Sequence, residues 1–289
     1  MDASFSLPVT PSFTHNVQQD LNGNILFYVV DGTIYDPTGS FVADIECNCY
    51  NGELLHSNSE FLIVPVPGNC NQYYLIGAGR TSSSGQGDPK PYYVIYDLST
   101  GDVIGTGGAP GNPAIPLPSY FNNNLHHGII HFAATPLGAN NFRFLFISST
   151  ENIFRYKITA TGIVLDNGPS DGGVTDFVSD LGFYGNGSAS MRSEMEVHSF
   201  PNNTFLNSTL LYKIAVPLEG SGGSSTGGIR NFIMIASLDM QGIINSSTVK
   251  FIDLISGGGT NYRDVKGLEF SPNGKYLYVN TTLHHTFFM

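Results

Sequence analysis

Residues 267–279, GLEFSPNGKYLYV, form two runs of alternating apolar residues around the turn Ser271-Pro272-Asn273-Gly274. Proline pre-sets φ for a turn, and Asn-Gly accepts the positive φ that a tight hairpin requires. The stretch therefore predicts a β-hairpin. The same strand-turn-strand pattern recurs upstream, so this hairpin is one unit of a repeat.

Two turn markers repeat along the chain with one approximate period. The prolines of the first hairpin in each unit lie 69, 65 and 71 residues apart, at Pro67, Pro136, Pro201 and Pro272. The glycines of the second hairpin lie 62, 61 and 80 residues apart, at Gly39, Gly101, Gly162 and Gly242. Two hairpins make a four-strand meander, and repetition of that meander is typical of β-propeller blades. The predicted fold is an all-β propeller of four-stranded antiparallel blades.

A single β-propeller-like domain is predicted over residues 1–289. Its complete blades are expected at about 60–105, 128–168 and 193–255, and its partial blades at about 20–46 and 265–283. The first partial blade holds the second to fourth strands of a unit, and the last holds the first two. Because closed rings have roughly four to eight blades, we expect an incomplete or unclosed ring, or a fragment of a longer chain.

Charge and hydropathy exclude some partners. With 12 basic and 23 acidic residues the net charge is −11, which argues against nucleic acid because such a partner needs a basic surface. No apolar run is long enough to predict membrane insertion. The first residues, MDASFSLPVTPSF, lack the basic and apolar regions of a signal peptide.

Long loops rich in Gly, Ser, Asn and Pro are predicted at 77–90, 107–127, 169–192 and 219–230. Loops on a rigid scaffold commonly carry binding sites. The alternative is that they are flexible connectors, and this reading is favoured for residues 220–228.

Histidines and tyrosines supply the candidate ligand-binding residues. If residues 128–132 form a strand, His127 and His131 point to the same face and could share a metal or ligand, with His126 in the preceding loop. The alternative is a turn-flanking pair and one half-buried strand histidine. The chain has no Trp, so a sugar-binding platform would use tyrosines, and the candidates are Tyr92, Tyr93 and Tyr120.

Acidic residues give two further candidates. A glycine-bearing loop could hold calcium through hard oxygen ligands, at Asp166, Asp171, Asp176 and Asp180. A solvated acidic loop is the alternative, and no other cofactor is expected. Glu194 and Glu196 lie on one strand face and could act as a carboxylate pair, or simply as solvated edge charges.

The three cysteines are Cys47, Cys49 and Cys70, an odd number that cannot pair fully within one chain. Together with His56 they could bind zinc, although the spacing matches no familiar site. Buried thiols or one disulfide at Cys70 are the alternative.

Several segments resemble the amino-terminal propeller-like region of secreted Bacteroidetes gliding-motility-associated and PKD-domain proteins. They are LNGNILFYVVDGTIYDPTG, FLIVPVPGNCNQYYLI, IFRYKITATGIVLDNG, RSEMEVHSF and KGLEFSPNGKYLYV. The resemblance implies type IX secretion, an extracellular or cell-surface location and further domains in a longer parent chain. It implies no catalytic motif.

Two functions are compatible with these observations. The favoured one is a non-catalytic extracellular scaffold or adhesion module that binds protein or glycan through its long loops. The alternative is a propeller hydrolase or lyase whose histidine and acidic side chains converge at the channel mouth.

Overall fold

The computed structural model describes residues 10–11, 14–47, 54–55, 61–80, 89–117, 130–138, 141–148, 153–166, 174–175, 189–190, 195–199, 210–221, 229–239, 241–254, 265–281 and 285–288. Within these ranges the regular elements are β-strands and one short 3₁₀ turn, Thr106–Gly108. The predicted all-β class is confirmed. The chain divides into two compact units, unit 1 (Met1–Asn123) and unit 2 (Asn124–Met289).

Unit 1 contains two antiparallel sheets. Sheet I consists of β1 (His15–Gln19), β2 (Ile25–Val30), β3 (Thr33–Tyr35) and β4 (Phe41–Asp44). Sheet II consists of β5 (Leu62–Pro65), β6 (Gln72–Arg80), β7 (Pro89–Asp97) and β8 (Asp102–Ile104), with β9 (Ile115–Pro116) added to β7. In both sheets the four main strands follow chain order.

Unit 2 contains three antiparallel sheets. Sheet III consists of β10 (His131–Ala134), β11 (Arg143–Ser148), β12 (Ile153–Thr159) and β13 (Gly162–Leu165), with β14 (Val174–Thr175) added to β12. Sheet IV consists of β15 (Ala189–Ser190), β16 (Glu196–Ser199), β17 (Leu210–Ser221), β18 (Ile229–Asp239) and β19 (Ile244–Asp253). Sheet V consists of β20 (Val265–Phe270), β21 (Leu277–Thr281) and β22 (His285–Phe288).

The predicted four-strand antiparallel meander is present in sheets II, III and IV, where β16 and β15 both pair with β17. Five of the described strands were not predicted, and three of them, β9, β14 and β15, are two-residue strands inside the predicted loops 107–127 and 169–192. Sheet I has a fourth strand, β1, whose sequence HNVQQ carries one apolar residue, and sheet V has a third strand, β22. Closure of the sheets into a ring stays a prediction.

Side chains at the hairpin turns determine where the strands reverse. The Asp36 carboxylate accepts hydrogen bonds from the backbone N–H groups of Thr38 and Ser40, at 2.8 and 2.9 Å. In sheet IV the Asp239 carboxylate accepts from Gln241 and Ile243, both at 2.8 Å. An aspartate that hydrogen-bonds the backbone two residues on stabilises a turn, so the short polar turns are specified locally.

The hairpin at residues 267–279 is confirmed. Asn273 accepts a hydrogen bond from the Lys275 N–H at 3.0 Å, and the Ser271 hydroxyl accepts from the Tyr276 N–H at 2.9 Å. Gly274 has a φ of 63°, in the left-handed region that favours glycine. The turn chemistry read from the sequence therefore forms β20 and β21 as predicted.

In unit 1 the core lies between sheets I and II. Sheet I contributes Phe27, Val29 and Ile34, and sheet II contributes a larger set: Tyr73, Leu75, Tyr92, Val94, Tyr96 and Val103. The ring of Phe27 meets those of Tyr73 and Tyr96 edge to face, with centroids 5.1 and 4.8 Å apart. These contacts bury large apolar areas and supply most of the stabilisation of the pair.

In unit 2 sheet IV packs on both faces. Alternate residues of β17 and β18 contact sheet III, namely Tyr212, Ile214, Val216, Phe232, Met234, Ala236 and Leu238. Ala215 and Ile233, which point the other way, pack against sheet V. Strand residues alternate between the two faces of a sheet, so one strand pair supplies both cores.

The first strands of consecutive sheets contact each other within each unit. These contacts join β1 to β5 in unit 1, and β10 to β16 and β16 to β20 in unit 2. The Asn16 side chain on β1 also donates a hydrogen bond to the carbonyl of Phe61, just before β5. Neighbouring sheets thus meet through their first strands as well as through their faces.

Candidate functional site

The sheet topology places the connections between strands at two opposite ends of each sheet. In an antiparallel meander the first-to-second and third-to-fourth turns lie at one end of the sheet, here called the turn end. The second-to-third connection and the link to the next sheet lie at the other end, here called the loop end. The predicted loops at 77–90, 107–127, 169–192 and 219–230 all leave from the loop ends of their sheets.

Two of these loops are shorter than predicted because the strands run into them. β6 and β7 pair as far as Arg80 with Pro89, and β17 and β18 pair as far as Ser221 with Ile229. The connecting residues 81–88 and 222–228 lie outside the described residues. The interpretation of residues 220–228 as a flexible connector is therefore wrong at Gly220 and Ser221, which belong to β17.

The β17–β18 hairpin extends past its neighbours at the loop end. β16 pairs with β17 only up to Ala215, and β19 pairs with β18 only from Phe232 onward. Beyond these points β15 pairs with β17, at Glu219 and Gly220. Sheet IV thus carries a paired arm that reaches Ser221 and Ile229.

Unit 1 has a compact exposed loop between β8 and β9. The Asn112 side chain donates a hydrogen bond to the carbonyl of Thr106, and the Thr106 hydroxyl donates to the carbonyl of Pro113 at 2.9 Å. The Ala114 N–H anchors the loop to the Glu46 carbonyl at 2.7 Å. Residues 106–112 are exposed, so this loop presents a shape fixed by internal hydrogen bonds.

His131 is the one residue of the predicted histidine cluster within the described residues; His126 and His127 lie outside them. It is the first residue of β10, at the loop end of sheet III, and only 2% of its surface is exposed. Burial lowers the pKa of His131 from 6.5 to about 3, so the imidazole is neutral at physiological pH. The alternative prediction was a half-buried strand histidine at this position, and His131 is instead fully buried.

The predicted carboxylate pair is partly described. Glu196 is the first residue of β16 and lies opposite Ala215, which packs toward sheet V. Glu196 therefore shares that face of sheet IV, while Glu194 lies outside the described residues. His131 neighbours Ala133 of the core between sheets III and IV, so the two titratable residues lie on different sheets and toward different interfaces.

Of the predicted calcium ligands, Asp166 is described and Asp171 and Asp176 are not, nor is Asp180. Asp166 follows β13 and is buried. One carboxylate oxygen lies 2.6 Å from Arg155 Nε, and the other pairs with Lys157 Nζ. A calcium ion at Asp166 would have to displace two cationic side chains, so the observed role of this carboxylate is to neutralise them.

Sequence reasoning missed this ion cluster of Arg155, Lys157 and Asp166. Arg155 lies 5.6 Å from the ring centroid of Phe144, and Lys157 lies 5.5 Å from that of Phe142. The sequence IFRYKIT could have indicated the cluster, because Arg155 and Lys157 are two residues apart on one strand and so lie on the same face. Both cations lie on β12 beside β13, which ends at Leu165, so the cluster lies at the start of the long connection after β13.

The candidate sugar-binding tyrosines are core residues where they are described. Tyr92 is 6% and Tyr93 8% exposed, and Tyr93 packs edge to face on Tyr74 at 5.6 Å. A buried ring cannot stack on a sugar, so a platform at these two positions is ruled out by burial. Tyr120 lies outside the described residues.

The cysteine predictions are corrected in part. Cys47 is disulfide-bonded, and Cys70 is a free, exposed thiol. A disulfide sulfur cannot serve as a zinc thiolate, so the zinc site through Cys47 is wrong, and so is the disulfide at Cys70. Cys49 and His56 lie outside the described residues.

The described part of the chain lacks two kinds of special site. No group of three His, Cys, Asp or Glu side chains there is arranged to hold a metal ion. No helix in those ranges has the length and apolarity needed to cross a bilayer.

No protein-family model matches this chain, and no curated protein matches it. Its functional interpretation therefore rests on the residues and geometry above.

Proposed function

We propose that this chain is a non-catalytic extracellular or cell-surface binding module of propeller type, which binds protein or glycan through the loop ends of its sheets. The observation that carries the proposal is the separation of connections. Described turns at residues 36–39, 97–101, 239–242 and 271–274 are short and hydrogen-bonded and lie at the turn ends, whereas the long loops predicted at 77–90, 107–127, 169–192 and 219–230 leave from the loop ends. The link from Ser199 to Leu210 is an exception, because it joins β16 and β17, the first two strands of the meander in sheet IV, at the turn end. Loops held by a rigid scaffold are a common way to build a binding surface.

The propeller arrangement is part of the proposal. It is supported by face-to-face packing of sheets III, IV and V and by contacts between the first strands of successive sheets. In a propeller the first strands surround the central channel and the sheets pack face to face around it. The type IX, gliding-motility affiliation rests on the sequence resemblance alone.

The described residues favour binding over catalysis. His131 is enclosed between sheets and neutral, and Glu196 points toward a different interface. A hydrolase or lyase needs its acid and base within hydrogen-bond reach of one substrate position.

The test is binding of the purified chain to an array of immobilised neutral and acidic polysaccharides and to intact bacterial cell surfaces. One variant replaces residues 222–228 by Asn-Gly, which shortens the β17–β18 tip with a turn that suits a hairpin. The matched control, Lys275→Gln, changes an exposed residue at the turn end of sheet V.

We expect the 222–228 variant to lose binding at least about tenfold, or 1.4 kcal/mol, while Lys275→Gln binds as the wild type does. Equal binding by both variants would contradict the assignment to the loop ends. Release of soluble sugars from the array would instead support the hydrolase alternative.

A further inference from the structure

A second feature of unit 2 lies at the contact between sheets IV and V. His198 on β16 lies opposite Lys213 on β17. Its ring is 5.7 Å from that of Phe270, and Lys213 Nζ donates a hydrogen bond to the Gly274 carbonyl at 3.0 Å. These residues, His198, Lys213, Phe270 and Gly274, are called the His198 junction.

The junction leaves the imidazole little room. A Cβ atom added at Gly274 would lie 2.6 Å from His198 Cδ2 and 3.0 Å from Nε2. Nε2 is buried and has no hydrogen-bond partner among the described residues. Protonation would therefore place an N–H donor against the turn of the neighbouring sheet without an acceptor, which is costly in a buried position.

The charges around His198 oppose a second positive charge. Lys213 faces it across the strand pair, Lys250 on β19 lies near enough to Lys213 to lower the pKa of that amine, and Lys275 follows Gly274 in the turn. Glu196 is the one acidic residue on the same face of β16. Glu269 on β20 alternates with the core residues Leu268 and Phe270, so it lies on the opposite face of sheet V.

Burial, and next the charge of Lys213, lower the pKa of His198 in the closed junction. When sheet V separates from sheet IV, the imidazole regains water and its ordinary affinity for protons. The open state therefore binds a proton at higher pH than the closed state does. As pH falls below about 6.5, closure loses stability, and the loss continues until the lowered pKa is reached.

We propose that the His198 junction is an acid-sensitive contact, at which protonation of His198 releases sheet V from sheet IV. Release exposes the apolar residues that sheet V buries, which are Val265, Leu268, Phe270, Leu277 and Val279. This device is independent of the proposed binding function, because it lies at the turn end of sheet V.

Hydrogen exchange of the full chain tests the proposal. Protection factors, corrected for intrinsic exchange, are compared near pH 7.5 and near pH 5.5 for β20 and β21 and, as reference, for β11 of sheet III. The comparison is made in a His131→Gln background, because His131 on the neighbouring strand β10 would otherwise make the reference sheet acid-sensitive as well. We expect protection in sheet V to fall at least about threefold more than in sheet III, because local opening adds to any global effect. Equal changes in the two sheets would overturn the proposal.

Two variants and one titration test whether the extra loss of protection in sheet V comes from His198. His198→Phe keeps a ring against Phe270 and cannot titrate, so the extra loss in sheet V should disappear; His15→Phe, at an exposed position of β1, should leave it unchanged. The imidazole resonances of His198 should titrate below those of an ordinary histidine and move upward in Lys213→Met, because a repelling cation is removed. If the resonances of His198 in the wild type titrate with the midpoint of an ordinary histidine, the proposal is refuted without any variant.

Discussion

Burial of His131 predicts that unit 2 loses stability on mild acidification. The folded state holds this imidazole with a pKa of about 3, whereas an unfolded chain has the ordinary value of 6.5. As pH falls below 6.5, the unfolded state binds a proton at His131 that the folded state does not bind, so the free energy of unfolding decreases. The decrease ends near pH 3, where both states are protonated, and its full size is about 5 kcal/mol at 1.36 kcal/mol per pKa unit.

About half of this change can be measured before most carboxylates take up protons. Between about pH 7.5 and about pH 4.5 the His131 contribution is roughly 2.5 kcal/mol. Urea unfolding followed by circular dichroism should show this loss in the wild type. His131→Gln, which keeps a polar side chain without a titrating ring, should have a lower stability at neutral pH and a much flatter pH profile.

His15→Gln is the matched control, because His15 is exposed on β1. It should keep the wild-type profile. The reasoning is refuted if His131→Gln retains the full wild-type dependence on pH, since the proton uptake would then belong to other groups.

Three further predictions concern the turns, the ion cluster and the cysteines. Gly242→Ala places a Cβ 2.7 Å from the Phe144 ring at a φ of +70°, so we expect a loss of about 3 kcal/mol in urea unfolding. Gly101→Ala has a similar φ with its nearest contact at 3.6 Å and should cost only about 1 kcal/mol; equal losses would contradict the steric argument. Asp166→Asn leaves the buried Arg155 without its carboxylate and should lower the free energy of unfolding by about 3 kcal/mol. The double variant Arg155→Met/Asp166→Leu should recover much of this loss. An unchanged urea midpoint for Asp166→Asn would show that the ion pair is not stabilising. Alkylation of the native, unreduced protein should modify Cys70 and spare Cys47, as read by peptide mass mapping, and labelling of Cys47 would contradict the disulfide.

The hairpins could be predicted from sequence because their determinants are local. Asp239 and Gly242 form their turn with groups no more than four residues away, and Asn273 does the same in the last hairpin. β1 could not be found in this way, because its five residues carry only Val17 as an apolar side chain. Its place in sheet I depends on pairing with β2 across the chain.

The candidate site was harder to predict because burial is not a local property. Tyr92 and Tyr93 are adjacent in sequence and so point to opposite faces of sheet II, yet both are buried. When both faces of a sheet are covered, the alternation that separates core from surface disappears from the sequence. The same holds for His131, whose buried position follows from the packing of sheet IV against sheet III.

The same contrast between local and long-range determinants separates the turn ends of the sheets from their loop ends. The described turns at Asp36, Asp239 and Asn273 are stabilised by side chains that hydrogen-bond backbone N–H groups of the same turn. Several loop ends carry connections longer than a hairpin needs, although β2 and β3 are joined only by Asp31 and Gly32. Length beyond the structural minimum is tolerated at little entropic cost. In the proposed binding module, the short hydrogen-bonded turns at 36–39, 97–101, 239–242 and 271–274 belong to a rigid side, and the connections after β6, β8, β13 and β17 belong to a variable side. Any ligand recognised by this protein should therefore be sought at the variable side, where a change of sequence alters recognition without disturbing the sheets.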